Sequence, residues 1–177
     1  MKSYAKTPAG TDLFSVDEES SRLDEAGAEE FHSRVAKLLY LAKRVRPEIL
    51  PAIIYLTSRV NCSTQQDLGK LNRVLFYLNQ FPGLGLGLSV GKSLTVFGYI
   101  DASFGVHSDY KSHTGAVVSL GKGPIVCDSS KQKTNAKSSY EADLMGASDG
   151  SNNLFFVRNL LIEQGYKVGP AKLRQDN

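Results

Sequence analysis

Three acidic residues stand where a fold could bring them together. Asp101 closes the β-rich run Leu94-Thr95-Val96-Phe97-Gly98-Tyr99-Ile100, Glu141 sits in the first turn of a helix that Ser138 opens, and Asp176 ends a short strand candidate beyond Pro170. Crowded carboxylates repel and raise one another's pKa, so a cluster of three is chemically suited to holding hard divalent cations. A pair of Mg²⁺ or Mn²⁺ ions about 4 Å apart can activate a water and stabilise the leaving oxygen of a phosphodiester. Each residue also has a plain structural use: Asp is common in turns, and Ser138-x-x-Glu141 is a capping box.

The elements that must position these residues can be read from pattern. Thr114 to Leu120 and Pro124 to Cys127, separated by Gly121-Lys122-Gly123, are expected to join the first run as an antiparallel meander. A helix follows from Ser138 towards Gly165, with Leu144, Met145, Leu154, Val157, Leu160 and Leu161 as its apolar face. Ser148 to Asn153 are six poor helix formers, costing about 3 to 4 kcal/mol relative to alanine, and predict a kink or fraying there. A crossover helix can return Ala171 to Asp176 parallel to the first strand and beside it. Asp101 and Asp176 would then share the carboxyl end of the sheet, where such sheets bind ligands. Helical rotation turns Asp143 about 200° from Glu141 and predicts solvent for its side chain.

Upstream, residues 1 to 28 are polar and acidic and read as an extended or disordered lead-in. Phe31, Val35, Leu38, Leu39 and Ala42 recur at helical spacing from Glu29 onward, Ile49 to Arg59 form a second apolar helix, and Thr64 with Asp67 caps a third, Gln65 to Gln80. The core face expected for that third helix is Leu68, Leu71, Val74, Leu75 and Leu78. Residues 31 to 92 carry 9 basic and 2 acidic side chains, a basic band suited to a polyanion such as a nucleic-acid duplex. The glycines of residues 83 to 87 match neither a dinucleotide nor a Walker loop and are a flexible join. Cys62 and Cys127 form no metal or disulfide pattern, and His32, His107 and His113 lack metal-ligand spacing and read as surface or turn residues. No run reaches the apolar length of a membrane span.

Tyr99-Ile100-Asp101-Ala102-Ser103, Lys111-Ser112-His113-Thr114-Gly115, Ser130-Lys131-Gln132-Lys133-Thr134, Ser138-Ser139-Tyr140-Glu141-Ala142-Asp143 and Asp176-Asn177 together resemble the ribonuclease H domain of Copia-type retrotransposon polyproteins. Leu38-Leu39-Tyr40-Leu41, Arg46-Pro47-Glu48-Ile49 and Arg73-Val74-Leu75-Phe76-Tyr77-Leu78 extend the resemblance into the segment joining reverse transcriptase to ribonuclease H.

The resemblance implies an α/β chain. After the lead-in of 1–28 it places a thumb- and connection-like helical bundle over 29–81, a join over 82–92, and an incomplete ribonuclease H-like mixed sheet with a crossover helix over 93–177. It implies hydrolysis of the RNA strand of RNA/DNA hybrids with two Mg²⁺ (or Mn²⁺) ions, Asp101 bridging both and Glu141 and Asp176 holding one each. Arg44, Arg46, Lys70, Arg73 and Lys131 are the implied nucleic-acid contacts. The remainder of the Pol polyprotein is an implied partner, and the location is intracellular, in a cytoplasmic particle or the nucleus. The polymerase motif Tyr-x-Asp-Asp is absent from the sequence. The family continues past the position of Asn177 to a fourth acidic ligand, so weak or no hydrolysis is expected of these 177 residues. The alternatives are a non-catalytic nucleic-acid-binding remnant and a decayed pseudogene product.

Overall fold

Asp24 begins the first helix. Its Oδ1 accepts from the Gly27 N–H at 2.9 Å, so α1 spans Glu25–Arg44, starting four residues ahead of the point where apolar periodicity sets in. The structure, a computed structural model, describes residues 5–91 and 93–175, and the chain divides into two units, Met1–Gly85 and Leu86–Asn177.

In the first unit, a 3-10 turn at Pro47–Ile49 leads into α2, Leu50–Ser58, and α3 occupies Gln65–Gln80. The expected cap is present: Thr64 Oγ1 accepts from Asp67 N while an Asp67 carboxylate oxygen accepts from Thr64 N at 3.1 Å. That carboxylate is fully buried and also meets Arg59 at 3.2 Å, so one side chain both starts α3 and fastens it to the end of α2. Phe31, Val35, Leu38 and Ala42 of α1 pack towards Ile49, Leu50, Ile53 and Leu56, with Leu71 and Val74 of α3 also buried. Each such side chain contributes about 1.5 to 3 kcal/mol on leaving water. Tyr77 is buried where Leu75 and Leu78 are only half-buried, its ring lying against Phe81 and beneath the Arg46 guanidinium.

Among the described residues, the acidic N-terminal segment contains no helix before α1, yet it is closely bonded. Ala5 N donates to Gln80 Oε1 and Asp17 N to Gln66 Oε1, both at 2.9 Å. Leu23 N donates to Ser63 O, and Gln65 N to Ser21 O. Ala5 and Leu13 are buried.

In the second unit, β1 is Ser89–Val90, β2 Phe97–Ser103, β3 His113–Ser119, β4 Gly121–Lys122, β5 Pro124–Lys131, α4 Ser139–Glu163 and β6 Lys172–Arg174. The main sheet is mixed, in the order β5-β3-β2-β6, while β1 and β4 form a separate antiparallel pair. β2, β3 and β5 are the antiparallel meander, and β6 runs parallel to β2 with Tyr99 opposite Arg174. Gly121 and Gly123 turn the chain between β3 and β5 at φ of 137° and 72°, values that β-carbon sterics disfavour in other residues.

Helix α4 runs unbroken through Ser148 to Asn153, against the kink expected from propensity. Tertiary packing wins because the poor helix formers include those that let helix and sheet touch. A β-carbon at Gly150 would lie 2.6 Å from Ile100 Cδ1, and one at Gly146 would lie 3.2 Å from the Thr114 side chain. The sheet-facing stripe is therefore Ala142, Gly146, Gly150, Leu154 and Val157, which closes on Val96 and Val118. Leu144 and Leu160, expected in the apolar face, are turned outward. Among the described residues, no helix is long and apolar enough to cross a membrane.

Candidate functional site

Strand alternation decides where Asp101 goes. Gly98, Ile100 and Ala102 face α4, so Phe97, Tyr99 and Asp101 take the opposite face of β2. That face opens into a depression of about 490 Å³ lined by Tyr99, Asp101, Gly115, Val117, Arg174 and Gln175. Arg174 lies over two rings there, 5.3 Å from the centroid of Phe97 and 5.6 Å from that of Tyr99. The Asp101 carboxylate is thus exposed beside a cationic and aromatic wall.

The contacts Leu154 to Gly98, Gly150 to Ile100 and Gly146 to Ala102 run α4 antiparallel to β2. The first turn of the helix consequently stands towards the carboxyl end of the strand that carries Asp101. Glu141 lies in that turn and Asp143 just beyond it, and the two carboxylates behave differently. Glu141 is a cap: its Oε2 accepts from Lys137 N at 2.7 Å, and its own N–H donates to Ser138 Oγ at 3.2 Å. Asp143, expected in solvent, is only 4% exposed and lies on the buried side with Ala142 and Gly146. Sequence held a signal for this, since Gly146 and Gly150 at three and seven residues beyond Asp143 mark the close-approach face. Gln132 secures the arrangement, its Nε2 donating to Thr114 Oγ1 at 2.9 Å and to Ala142 O at 2.8 Å.

Asp176 lies outside the described residues. Among those described, no three His, Cys, Asp or Glu side chains gather as a metal site. The carboxylates of Asp101 and Asp143 are hard oxygen donors of the type Mg²⁺ takes, but they belong to opposite faces of β2.

Two of the histidines read as surface residues are buried. His113 shares a 3.1 Å hydrogen bond with Nε2 of His107 through its Nδ1, and its Nε2 lies 2.7 Å from Ser129 Oγ. Burial, and after it the neighbouring imidazole, push the His113 pKa down to about 4. The pair joins the β2–β3 loop to β3 and β5. Lys131 closes the same loop with a 2.8 Å ion pair to Asp109.

The expected phosphate contacts of the first unit have unequal freedom. Arg46 is only 6% exposed, with its guanidinium on Glu48, on Phe81 O at 3.0 Å and over the Tyr77 ring. Lys70 donates to Ser15 O at 2.6 Å and lies over the Tyr55 ring, and burial lowers its pKa. Arg73 donates to the Thr7 carbonyl and hydroxyl at 3.2 and 3.1 Å. Arg44 is exposed at the end of α1, its Cζ 5.6 Å from the Tyr40 ring centroid.

Comparison with known proteins gives the chain a lineage. It is 35% identical over 140 residues, 78% of its length, to the retrovirus-related Pol polyprotein from transposon RE1 of Arabidopsis thaliana. It is also 35% identical over 150 residues, 84% of its length, to that of transposon RE2 of the same plant. The chain belongs to the retrotransposon Pol polyprotein family. It spans about a tenth of the length of these two polyproteins. A further relative is secreted RxLR effector protein 161 of Plasmopara viticola, 29% identical over 126 residues that cover 71% of this chain and 89% of that protein. No family model and no solved structure matches.

Proposed function

We propose that this Pol polyprotein segment handles an RNA/DNA hybrid, with a ribonuclease H-like second unit of Copia type that hydrolyses the RNA strand and a helical, thumb- and connection-like first unit that binds the duplex. The observation that supports the hydrolytic reading best is the meeting of α4's first turn with the carboxyl end of β2, in a mixed sheet whose β6 runs parallel to β2 after a helical crossover. When bound, divalent ions would supply an activated water and neutralise charge on the phosphate. The chain's own contribution is a set of oxygens, Asp101, Asp143 and the expected Asp176, and since Asp101 and Asp143 stand on opposite sides of β2, sharing ions requires the two carboxylates to meet around the carboxyl end of the strand. Asp143 takes precedence over Glu141 because it is buried on the sheet-facing side of α4, whereas Glu141 caps the start of its own helix.

The test is cleavage of a labelled RNA/DNA hybrid in Mg²⁺ or Mn²⁺ by the polyprotein segment carrying this chain. Asp101→Asn and Asp143→Asn should abolish cleavage, whereas Glu141→Gln, whose amide oxygen can still accept from Lys137 N, should retain it and lower only stability, by about 0.3 to 1 kcal/mol. An inactive Glu141→Gln protein beside an active Asp143→Asn protein would overturn the assignment. The remaining parts of the polyprotein are the partners this reading implies.

A further inference from the structure

Resting on the reading that the first unit binds nucleic acid, we infer that its phosphate-binding surface is the outer ridge of α1, made by Lys37, Tyr40, Lys43 and Arg44. The inner ridge, Phe31, Val35, Leu38 and Ala42, is buried. Helical geometry sets Lys37, Tyr40 and Arg44, three and four residues apart, on the opposite side, and all four ridge residues are exposed. From Phe31 to Pro47 the sequence has no acidic residue, so the ridge carries positive charge that no neighbour in its own helix cancels. Arg34, the remaining cation of this stretch of α1, is paired with Glu30 and stands outside the ridge.

Within residues 45 to 85 the other cations are already engaged. Arg46 is held internally, Arg59 meets the buried Asp67, and Lys70 and Arg73 are bonded to the N-terminal segment. The 8 basic side chains of residues 31 to 85 thus reduce, in the folded unit, chiefly to one helix face.

The chemistry and dimensions of that face fit a nucleic-acid backbone. Lysine, arginine and tyrosine all donate to phosphate oxygens. Tyr40 is 69% exposed beneath Arg44 and borders a groove of about 470 Å³ with Ala36, Leu39 and Lys43. Lys37 and Arg44 are separated by about 10 Å of helix rise, a span over which a duplex, with one charge per about 1.7 Å of its axis, presents several phosphates. An anionic membrane fits less well, because an interfacial helix must offer its apolar face to lipid, and the apolar face of α1 is already buried.

Equilibrium binding of the full chain to a mixed-sequence RNA/DNA duplex, measured across a salt series, tests the inference. Lys37→Ser/Lys43→Ser/Arg44→Ser should weaken binding at least about tenfold. It should also flatten the plot of log K against log salt by roughly 2 to 3, as loss of about three phosphate contacts requires. Lys70→Ser/Arg73→Ser should leave both quantities near those of the unaltered chain. Circular dichroism checks that each variant is folded. If the α1 variant keeps the original affinity and slope, or the α3 variant loses them instead, the inference is wrong while nucleic-acid binding stands. If the unaltered chain fails to bind duplex at low salt, or binds only anionic vesicles, the underlying reading fails.

Discussion

At His113, burial and a neighbouring imidazole act in the same direction, holding the ring neutral inside the fold at a pKa of about 4. The unfolded chain takes up that proton near the ordinary histidine value of about 6.5. Between these values the unfolded state binds more protons, so stability falls as pH drops from neutrality and the loss levels off near pH 4. By pH 5 the cost from this residue alone is about 2 kcal/mol. His107, whose pKa burial and Lys131 lower while Asp109 opposes, adds in the same sense. Urea midpoints of the unaltered chain should therefore decline from pH 7.5 to pH 5, and His113→Gln should shrink that decline; an identical decline in both proteins would contradict the account. Sequence did not reveal this buried pair, because His107 and His113 are joined by a loop whose closure depends on Asp109, Lys131 and Ser129. Spacing did reveal the Thr64–Asp67 cap, which is closed by residues three apart.

Two glycines in helices separate propensity from packing at the scale of elements. Gly150 of α4 faces the sheet, where a methyl group would meet Ile100 Cγ1 at 3.0 Å and Ala116 Cβ at 3.1 Å as well as Ile100 Cδ1. Gly69 of α3 has nothing within 4 Å of the same position. Gly69→Ala should stabilise by about 0.5 to 1 kcal/mol, the ordinary helix gain. Gly150→Ala should lose about 1 to 3 kcal/mol to overpacking despite that gain. Thermal denaturation of the two variants checks both signs, and stabilisation by Gly150→Ala would show that the helix can lift from the sheet without cost. The same contrast explains what was legible here. α3 could be read almost to the residue because its cap and apolar spacing are local. α4 was misjudged at Leu144, Asp143 and the Ser148 to Asn153 stretch because its orientation is set by how closely glycines allow β2 and β3 to approach.

Across the whole molecule, the sequence reported charge faithfully and availability poorly. Counting side chains singled out residues 31 to 92, but whether an ammonium or guanidinium is free depends on carbonyls such as those of Thr7, Ser15 and Phe81, which are distant in sequence. The strand that carries Asp101 was legible from its β-rich run, although β2 continues two residues beyond Asp101 to Ser103. The side of the sheet that Asp101 occupies was not, since that depends on which face the crossover helix covers.

The bonding of the N-terminal segment to α3 also sets the order in which a protease should open the chain. By composition the acidic stretch around Asp17-Glu18-Glu19 looks like the first place to be cut, yet Leu13 is only 8% exposed, while Leu84 and Leu88 beside the glycines are 50% and 55% exposed. Cleavage requires local opening, and backbone held by hydrogen bonds to a helix opens less readily than backbone that has none. Brief treatment with thermolysin, which favours leucine, should first release fragments ending near Leu84 to Leu88 with the N-terminal segment still attached, as read by intact mass. Early cleavage at Leu13 would mean that the bonds of the N-terminal segment to α3 break freely in solution. On the expected order, the acidic stretch that composition would mark as dispensable is a fixed part of the helical unit, and trimming it would expose Lys70, Arg73 and the flank of α3.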